Sequence, residues 1–305
     1  MCRLFGLTAG TARVKAKFWL IDAPDSVEEQ SHRNVDGSGI GFFGKDGAPV
    51  LDKQPEPAFK DPEFIREAKH AESAQFIAHV RRATAGGRAV QNTHPFAMNG
   101  RIMAHNGGFG SLPVLDEHLG PYARLVQGDT DSERFFALIT KETDAYGGDV
   151  GAGIMAAARW IAANLPLSSL NTIVAAPGEL WALRYPAQHA LHIVEHPSPH
   201  LRSSISSVHV SDPSAVSAHT SGAPAHTSGS PAAPARAAAQ ARAKQAPATV
   251  VVASEVLDGE PGWRMLAPGE LVHVTSDLAV HSTLALTDPP VRLIPLSAAN
   301  PNIDT

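Results

Sequence analysis

The sequence predicts an α+β protein in which strands near both ends of the chain enclose a helical middle section. Short apolar, strand-type segments recur before residue 110 and again after residue 166. Two segments between them, 131–142 and 150–164, have the pattern of helices. A tract rich in Ser, Ala and Pro then precedes the last two strands. This order favours a layered sandwich of sheets and helices over a bundle or a barrel.

The first elements follow from capping and turn signals. Ser26 stands three residues before Glu29, a capping-box pattern that predicts a short helix. Residues 39–44 match the glycine spacing of a dinucleotide-binding loop, but such a loop must open a helix. Here a turn at 45–47 and a returning strand follow, so we predict a β-hairpin and no dinucleotide site. Pro62, at an early helical position, predicts a second helix.

The later elements alternate between strands and helices. Strands are expected over 75–80, 101–105, 171–176, 179–185, 190–194, 249–254 and 270–274. The strand at 101–105 is expected to end in a tight turn at Asn106 and Gly107, because Asn-Gly is the most common hairpin signal.

A change of composition divides the chain at residue 203. Residues 203–248 contain almost no large hydrophobic side chains, and such a segment buries too little apolar area to offset the entropy of ordering its backbone. We therefore predict one folded domain over 2–202, a flexible insertion over 203–248, and closing strands of the same domain over 249–296.

Composition excludes several function classes. The 305 residues carry a net charge of −5, which supplies no basic surface for nucleic acid or an anionic membrane. A single cysteine excludes an internal disulfide and a multi-cysteine metal site. His189, His192, His196 and His200 cluster without a carboxylate motif, so core or surface histidines are favoured over a metal site. We expect no metal and no cofactor.

No stretch approaches the ~20 apolar residues of a membrane-spanning helix. The first residues contain no apolar run of signal-peptide length. A cytoplasmic protein is therefore expected.

Cys2 is the first candidate catalytic residue, against the competing interpretation of an incidental cysteine. Removal of the initiator methionine would give Cys2 both a thiol and a free α-amine. The amine has an unperturbed pKa of ~7.7–8.0, so part of it is unprotonated near neutral pH. It could accept the thiol proton directly or through a water, which would activate the sulfur without a histidine.

Three further segments carry groups suited to an amino-acid substrate. Arg81 could present its planar fork to a carboxylate, although a solvated arginine at a strand end is the simpler interpretation. The Asn106 amide and the Gly107 N–H could stabilise an oxyanion. Asp131 follows Thr130, which forms a capping box with Glu133, so helix capping alone explains most of this segment. An acid in the first turn of the helix could also receive an ammonium group.

Taken together, and in the order in which they occur along the chain, these motifs resemble those of class II glutamine amidotransferases of the N-terminal nucleophile hydrolase superfamily. The resemblance covers residues 1 to about 140 and rests on Met1-Cys2-Arg3-Leu4-Phe5-Gly6, Asp36-Gly37-Ser38-Gly39, His79-Val80-Arg81-Arg82-Ala83-Thr84, Asn92-Thr93-His94-Pro95-Phe96, His105-Asn106-Gly107 and Thr130-Asp131-Ser132-Glu133. Residues 252–263 resemble the end of stand-alone members, among them the γ-glutamyl hydrolases of ergothioneine biosynthesis. Ala85, Arg82 and Ser38 depart from residues that are common in better-known members.

The resemblance implies a four-layer αββα sandwich and a role for each of six residues. It assigns the nucleophile to Cys2, the oxyanion hole to Asn106 and Gly107, the α-carboxylate site to Arg81, the α-ammonium site to Asp131 and a pocket wall to Thr84. The implied reaction cleaves the γ-glutamyl amide of glutamine or of another γ-glutamyl compound through a cysteine thioester and releases glutamate. Two alternatives stay open: a glutaminase subunit that supplies ammonia to a separate synthase, and a non-catalytic glutamine-binding protein.

Overall fold

The computed structural model describes residues 2–83, 87–196 and 247–295. Within these ranges the strands are β1 (Arg3–Thr8), β2 (Gly37–Phe43), β3 (Pro49–Gln54), β4 (Gln75–Arg81), β5 (Phe96–Met98), β6 (Arg101–Phe109), β7 (Pro166–Ala176), β8 (Glu179–Arg184), β9 (His192–His196), β10 (Thr249–Ala253), β11 (Arg264–Met265), β12 (Glu270–Val274), β13 (Val280–Leu284) and β14 (Arg292–Leu293). The α-helices are α1 (Val27–Ser31), α2 (Pro62–His70), α3 (Leu112–Leu119), α4 (Asp131–Ala145) and α5 (Val150–Asn164). A π-helical turn spans Phe18–Asp22, and 3₁₀ turns span Ala58–Lys60, Val90–Asn92 and Gly120–Leu125.

The strands form two sheets. The first has the order β11-β9-β10-β1-β4-β2-β3, and the second has the order β13-β12-β8-β7-β6-β5, with β14 pairing parallel to β7. Helices α1 and α2 pack on the first sheet, α4 and α5 pack on the second, and α3 packs against α4. The result is the α+β, four-layer αββα sandwich that the sequence analysis predicts.

Consecutive residues of β1 show how the layers are held together. Leu4 packs with Ile102 and Ile173 of the second sheet, whereas Phe5 packs with Phe64 of α2 on the other face. This alternation follows from the period of two along a strand. A Cβ at Gly6 would lie 2.9 Å from Cγ2 of Ile173, so glycine allows the two sheets to approach closely here.

Most of the helices and strands predicted from capping, turn and periodicity signals are confirmed. Strands β2 and β3 pair antiparallel from Phe43–Pro49 to Ser38–Gln54, which confirms the hairpin and excludes a dinucleotide loop there. Helix α5 has the predicted bounds, and α4 begins at the predicted residue. Ser26 caps α1 by accepting a hydrogen bond from the backbone N–H of Glu29 at 3.1 Å.

The predicted turn at Asn106 is wrong. Strand β6 continues to Phe109, and Asn106 and Gly107 pair with Asn171 and Leu170 of β7. Pairing with a long neighbouring strand therefore overrides the local turn signal of the Asn-Gly dipeptide.

The chain after the low-complexity tract returns to both sheets. Strand β10 pairs antiparallel with β1, and β12 pairs antiparallel with β8. Residues 203–246 of the tract lie outside the described residues. The three-part division of the chain therefore stays a prediction.

Candidate active site

Cys2 lies immediately before β1, against the end of β4. Antiparallel pairing of Arg3 with Val80 brings it there, and the Sγ atom contacts the main chain of Arg82. The Arg82 N–H donates to Sγ at 3.3 Å, and the thiol lies 3.4 Å from the Arg82 carbonyl oxygen. Burial raises the pKa of the Cys2 thiol, and the Arg82 N–H opposes that effect. The structure thus supplies a hydrogen bond that favours the thiolate.

Two charged side chains shift the pKa of the Cys2 thiol in opposite directions. The positive charge of Arg81 lowers the pKa of Cys2, and the carboxylate of Asp131 raises it. Arg81 is the last residue of β4, is buried, and donates from Nη1 to the carbonyl oxygen of Gly87 at 3.2 Å. A cation, an acid and the sulfur therefore share one neighbourhood. Thr84, the predicted pocket wall, lies outside the described residues.

Asp131 is held rigidly at the start of α4. Its Oδ2 atom accepts the backbone N–H of Phe109 at 3.1 Å, and its Oδ1 atom accepts that of Ser132 at 2.8 Å. The helix begins here because Thr130 caps it, accepting the Glu133 N–H at 3.3 Å. Backbone donors and the positive end of the helix dipole both stabilise the carboxylate.

Asn106 contacts the residue that carries the thiol. Its Nδ2 atom donates to the carbonyl oxygen of Cys2 at 2.9 Å. Because a side-chain amide has two N–H bonds, this contact orients the group and uses only one of them. Gly107 follows on β6, where a Cβ would lie 1.9 Å from the carbonyl oxygen of Ser169. A glycine is therefore required beside Asn106 for β6 and β7 to pair.

The loop after β4 is anchored by two residues whose roles the sequence analysis did not assign. The Asp36 carboxylate accepts the Ala83 N–H at 2.9 Å and also pairs with Arg88. The Asn92 Nδ2 atom donates to the carbonyl oxygen of Gly87 at 3.2 Å. Both anchors belong to segments that carry the family resemblance, which was the available signal. They hold the described ends of the loop that follows Arg81.

The sequence analysis also assigned no role to Arg3 or to Glu255. The Arg3 Nη1 atom donates to the Cys2 carbonyl oxygen at 3.2 Å, and its Nη2 atom forms an ion pair with Glu255 at 2.9 Å. The neighbouring Ser254 exchanges two hydrogen bonds of 3.0 Å with Leu4. For Arg3, its place next to Cys2 in the sequence was the available signal. For Glu255 there was none, because only the fold brings this residue to the site.

Three buried histidines, His79, His94 and His105, lie close to one another. The rings of His79 and His94 lie 4.2 Å apart between centroids, and burial lowers the pKa of His79 to about 3. The Nε2 atom of His105 lies 3.1 Å from the carbonyl oxygen of Ser169, which can only accept, so Nε2 carries the proton. The Nδ1 atom of His105 then accepts from the Ser132 hydroxyl at 2.9 Å. Burial lowers the pKa of all three histidines, so at neutral pH they add no positive charge here.

In the described parts of the chain, no group of three or more His, Cys, Asp or Glu side chains is placed to hold a metal ion. In the same ranges, no helix combines the length and the apolar character needed to cross a bilayer.

Comparison with known proteins identifies the family. The model of the glutamine amidotransferases class-II matches residues 1–217. The "Probable glutamine amidotransferase DUG3" of Saccharomyces cerevisiae is 32% identical over 133 residues, which are 40% of this chain and 37% of that protein. The chain thus aligns with less than half the length of the curated relatives that it matches first.

Two solved structures support the fold at low sequence identity. A glutamine aminotransferase class-II domain protein from Silicibacter pomeroyi superposes with a TM-score of 0.54 at 17% identity, covering 92% of this chain and 98% of that chain. The glutamine phosphoribosylpyrophosphate amidotransferase of Bacillus subtilis superposes with a TM-score of 0.58 at 16% identity, covering 94% of this chain and 50% of that chain. The family match covers most of the sequence and agrees with this architecture: the chain belongs to the class-II glutamine amidotransferases, a family of enzymes.

Proposed function

We propose that this chain cleaves the γ-glutamyl amide bond of glutamine or of a γ-glutamyl compound and releases glutamate. The observation that carries the proposal is the contact between Asn106 and Cys2 at 2.9 Å, beside a buried cation and an acid that both act on the thiol. A nucleophile, an amide donor and an opposite-charge pair are what attack on the side-chain amide of an amino acid requires.

The first step uses Cys2 as nucleophile and base together. Once Met1 is removed, the α-amine of Cys2 takes the thiol proton, and Sγ attacks the γ-carbonyl carbon. The Arg82 N–H, 3.3 Å from Sγ, supports the thiolate that forms. The buried histidines are a poor alternative base, because burial lowers the pKa of His79 to about 3.

The second requirement is stabilisation of the oxyanion in the tetrahedral intermediate. We assign this role to the second N–H of the Asn106 amide together with the Gly107 N–H. The bond from Asn106 to the Cys2 carbonyl oxygen supports the assignment, because it fixes the amide plane before substrate arrives. The intermediate then expels the amine, which leaves with the proton held by the Cys2 amine, and a thioester forms. Water cleaves the thioester, which restores the thiol and yields glutamate.

Recognition of the amino-acid end of the substrate is assigned to Arg81 and Asp131. A guanidinium can hold the α-carboxylate with two parallel hydrogen bonds. Asp131, fixed by two backbone N–H groups, offers a preorganised acceptor for the α-ammonium. Thr84 is proposed as part of the pocket wall on the family resemblance.

One observation favours a second function, supply of ammonia to a separate synthase. The phosphoribosylpyrophosphate amidotransferase of Bacillus subtilis is covered over only 50% of its chain, so a further part accompanies the shared fold there. Under this alternative, glutamine is the preferred substrate and a partner protein stimulates its cleavage. Under the first function, γ-glutamyl compounds are cleaved at full rate without a partner.

The proposal is tested by replacing the nucleophile. We expect Cys2→Ala to lose more than about 10³-fold of glutamate release, because no other group can form the thioester. Glutamine binding, followed by calorimetry, should persist, since the variant keeps Arg81 and Asp131. Release by Cys2→Ala at the parental rate would refute covalent catalysis. Glutamine binding by a parental protein that releases no glutamate from glutamine or any γ-glutamyl compound would favour the non-catalytic binding protein.

A further inference from the structure

The carbonyl group of Cys2 is held from two directions. Asn106 donates to its oxygen at 2.9 Å and Arg3 at 3.2 Å. The same Arg3 guanidinium pairs with Glu255 at 2.9 Å. One continuous path of polar contacts therefore runs from Glu255 through Arg3 and the Cys2 carbonyl to the Asn106 amide.

The register of the first sheet places Glu255 opposite Arg3. Strand β10 pairs with β1 up to the Ala253–Phe5 pair, and Ser254 then exchanges two hydrogen bonds of 3.0 Å with Leu4. Glu255, the next residue, meets the Arg3 side chain just beyond this pairing. The contact is thus built by the chain that returns after residue 246.

The chemistry of arginine suits this place. Its planar fork can donate to a carbonyl and a carboxylate at once, which a lysine ammonium does with less geometric control. The Arg3 side chain is 18% exposed and Glu255 is 41% exposed, so the arginine end of the pair is partly shielded from solvent. The carboxylate limits the directions in which the guanidinium can turn.

We propose that Glu255 is a positioning residue that acts through Arg3: it holds the guanidinium against the Cys2 carbonyl and thereby fixes the oxygen that orients the Asn106 amide. Glu255 has no proposed contact with substrate. The inference rests on the proposed function, because the Asn106 amide matters to the rate only if it stabilises an oxyanion. Small errors in donor position are costly in such a site.

The kinetic test compares Glu255→Gln, Arg3→Gln and the double variant with a matched control. Asp22→Asn removes a carboxylate of similar exposure, 44%, whose ion-pair partner is Lys17 at 3.0 Å instead of Arg3. We expect Glu255→Gln to lower kcat for glutamate release about tenfold with KM changed by less than about twofold. The double variant should fall no further than Arg3→Gln alone, because the two residues act in series. Independent, multiplying losses would overturn the proposal.

A second readout does not depend on activity. Hydrogen exchange of the Asn106 side-chain amide, followed by NMR and assigned with Asn106→Asp, reports the bond to the Cys2 carbonyl oxygen. We expect exchange to accelerate about tenfold in Glu255→Gln and in Arg3→Gln, and to stay unchanged in Asp22→Asn. Unchanged exchange in both site variants would overturn the proposal. Accelerated exchange in a protein that releases no glutamate would leave the positioning role in place and refute the proposed function instead.

Discussion

The candidate site has two halves that the fold holds in different ways. The strand half, Cys2 and Asn106, depends on β1, which lies between β10 and β4, and on β6, which lies between β7 and β5. The loop half, the described residues from Arg81 to Asn92, begins at the last residue of β4 and depends beyond that residue on side chains: Asp36 holds Ala83 and Arg88, and Asn92 holds Gly87. Backbone ladders thus position the proposed reacting groups, while charged and amide side chains position the proposed substrate-binding loop.

This difference predicts that the two halves fail differently when they are mutated. Loss of a donor in the strand half should lower kcat, because that donor acts on the transition state. Loss of an anchor in the loop half should mainly raise KM, because that half holds the unreactive end of the substrate.

The largest effect in this comparison is expected for Asn106→Ala. Removal of one oxyanion donor typically lowers kcat by about 10²–10³-fold. KM for glutamine should change little, since the amide has no assigned contact with the amino-acid end. Steady-state glutamate release measures both constants, and a thermal unfolding scan controls for loss of fold. A rise in KM at constant kcat would place Asn106 in substrate recognition and would contradict the predicted difference between the two halves.

A smaller effect, mainly on KM, is expected for Arg81→Lys. The lysine keeps the charge but loses the paired hydrogen bonds to the α-carboxylate, at a cost of about 1.5–3 kcal/mol or roughly 10- to 100-fold in KM. The specific control is glutamine α-amide, which has no carboxylate. The parental enzyme should prefer glutamine over this compound strongly, and Arg81→Lys should show much less preference. Equal discrimination by both proteins would remove Arg81 from carboxylate binding.

The smallest effect is expected for Asp36→Asn. The amide oxygen can still accept the Ala83 N–H, but the attraction to Arg88, an exposed partner, is lost. Such pairs contribute up to about 1 kcal/mol, so KM should rise about two- to fivefold while kcat is maintained. Asp25→Asn, which removes the carboxylate of the pair with Arg33, is the matched control and should leave both constants unchanged. A fall in kcat equal to that of Asn106→Ala would show that the two halves are not separate.

Capping and turn residues correctly predicted those helices and hairpins whose formation depends on neighbouring residues in the sequence. Helix α4 begins where Thr130 can cap it, and the hairpin of β2 and β3 follows from its turn residues. The same reasoning failed at Asn106, because pairing of β6 with β7 is a contact between distant residues that no turn propensity reports. The six proposed site residues came from chemistry and resemblance, and their roles stay predictions.

The supporting contacts could not be predicted from the sequence. Asp36 reaches Arg88 across 52 positions, and Leu4 reaches Ser254 across 250. Residues this far apart in the sequence meet only because their segments are neighbours in the fold, so the order of the strands must be known first. Glu255 gave no chemical signal of its own, since an exposed glutamate is ordinary on any surface.

The intact mass of the protein before and after treatment with a γ-glutamyl electrophile tests the central claim most directly. The proposed mechanism predicts a chain that has lost Met1 and that gains one label, mapped to Cys2 and absent from Cys2→Ala. Retention of Met1 in the active protein, or a label on another residue at the same rate in both proteins, would contradict nucleophilic attack by an amino-terminal thiol.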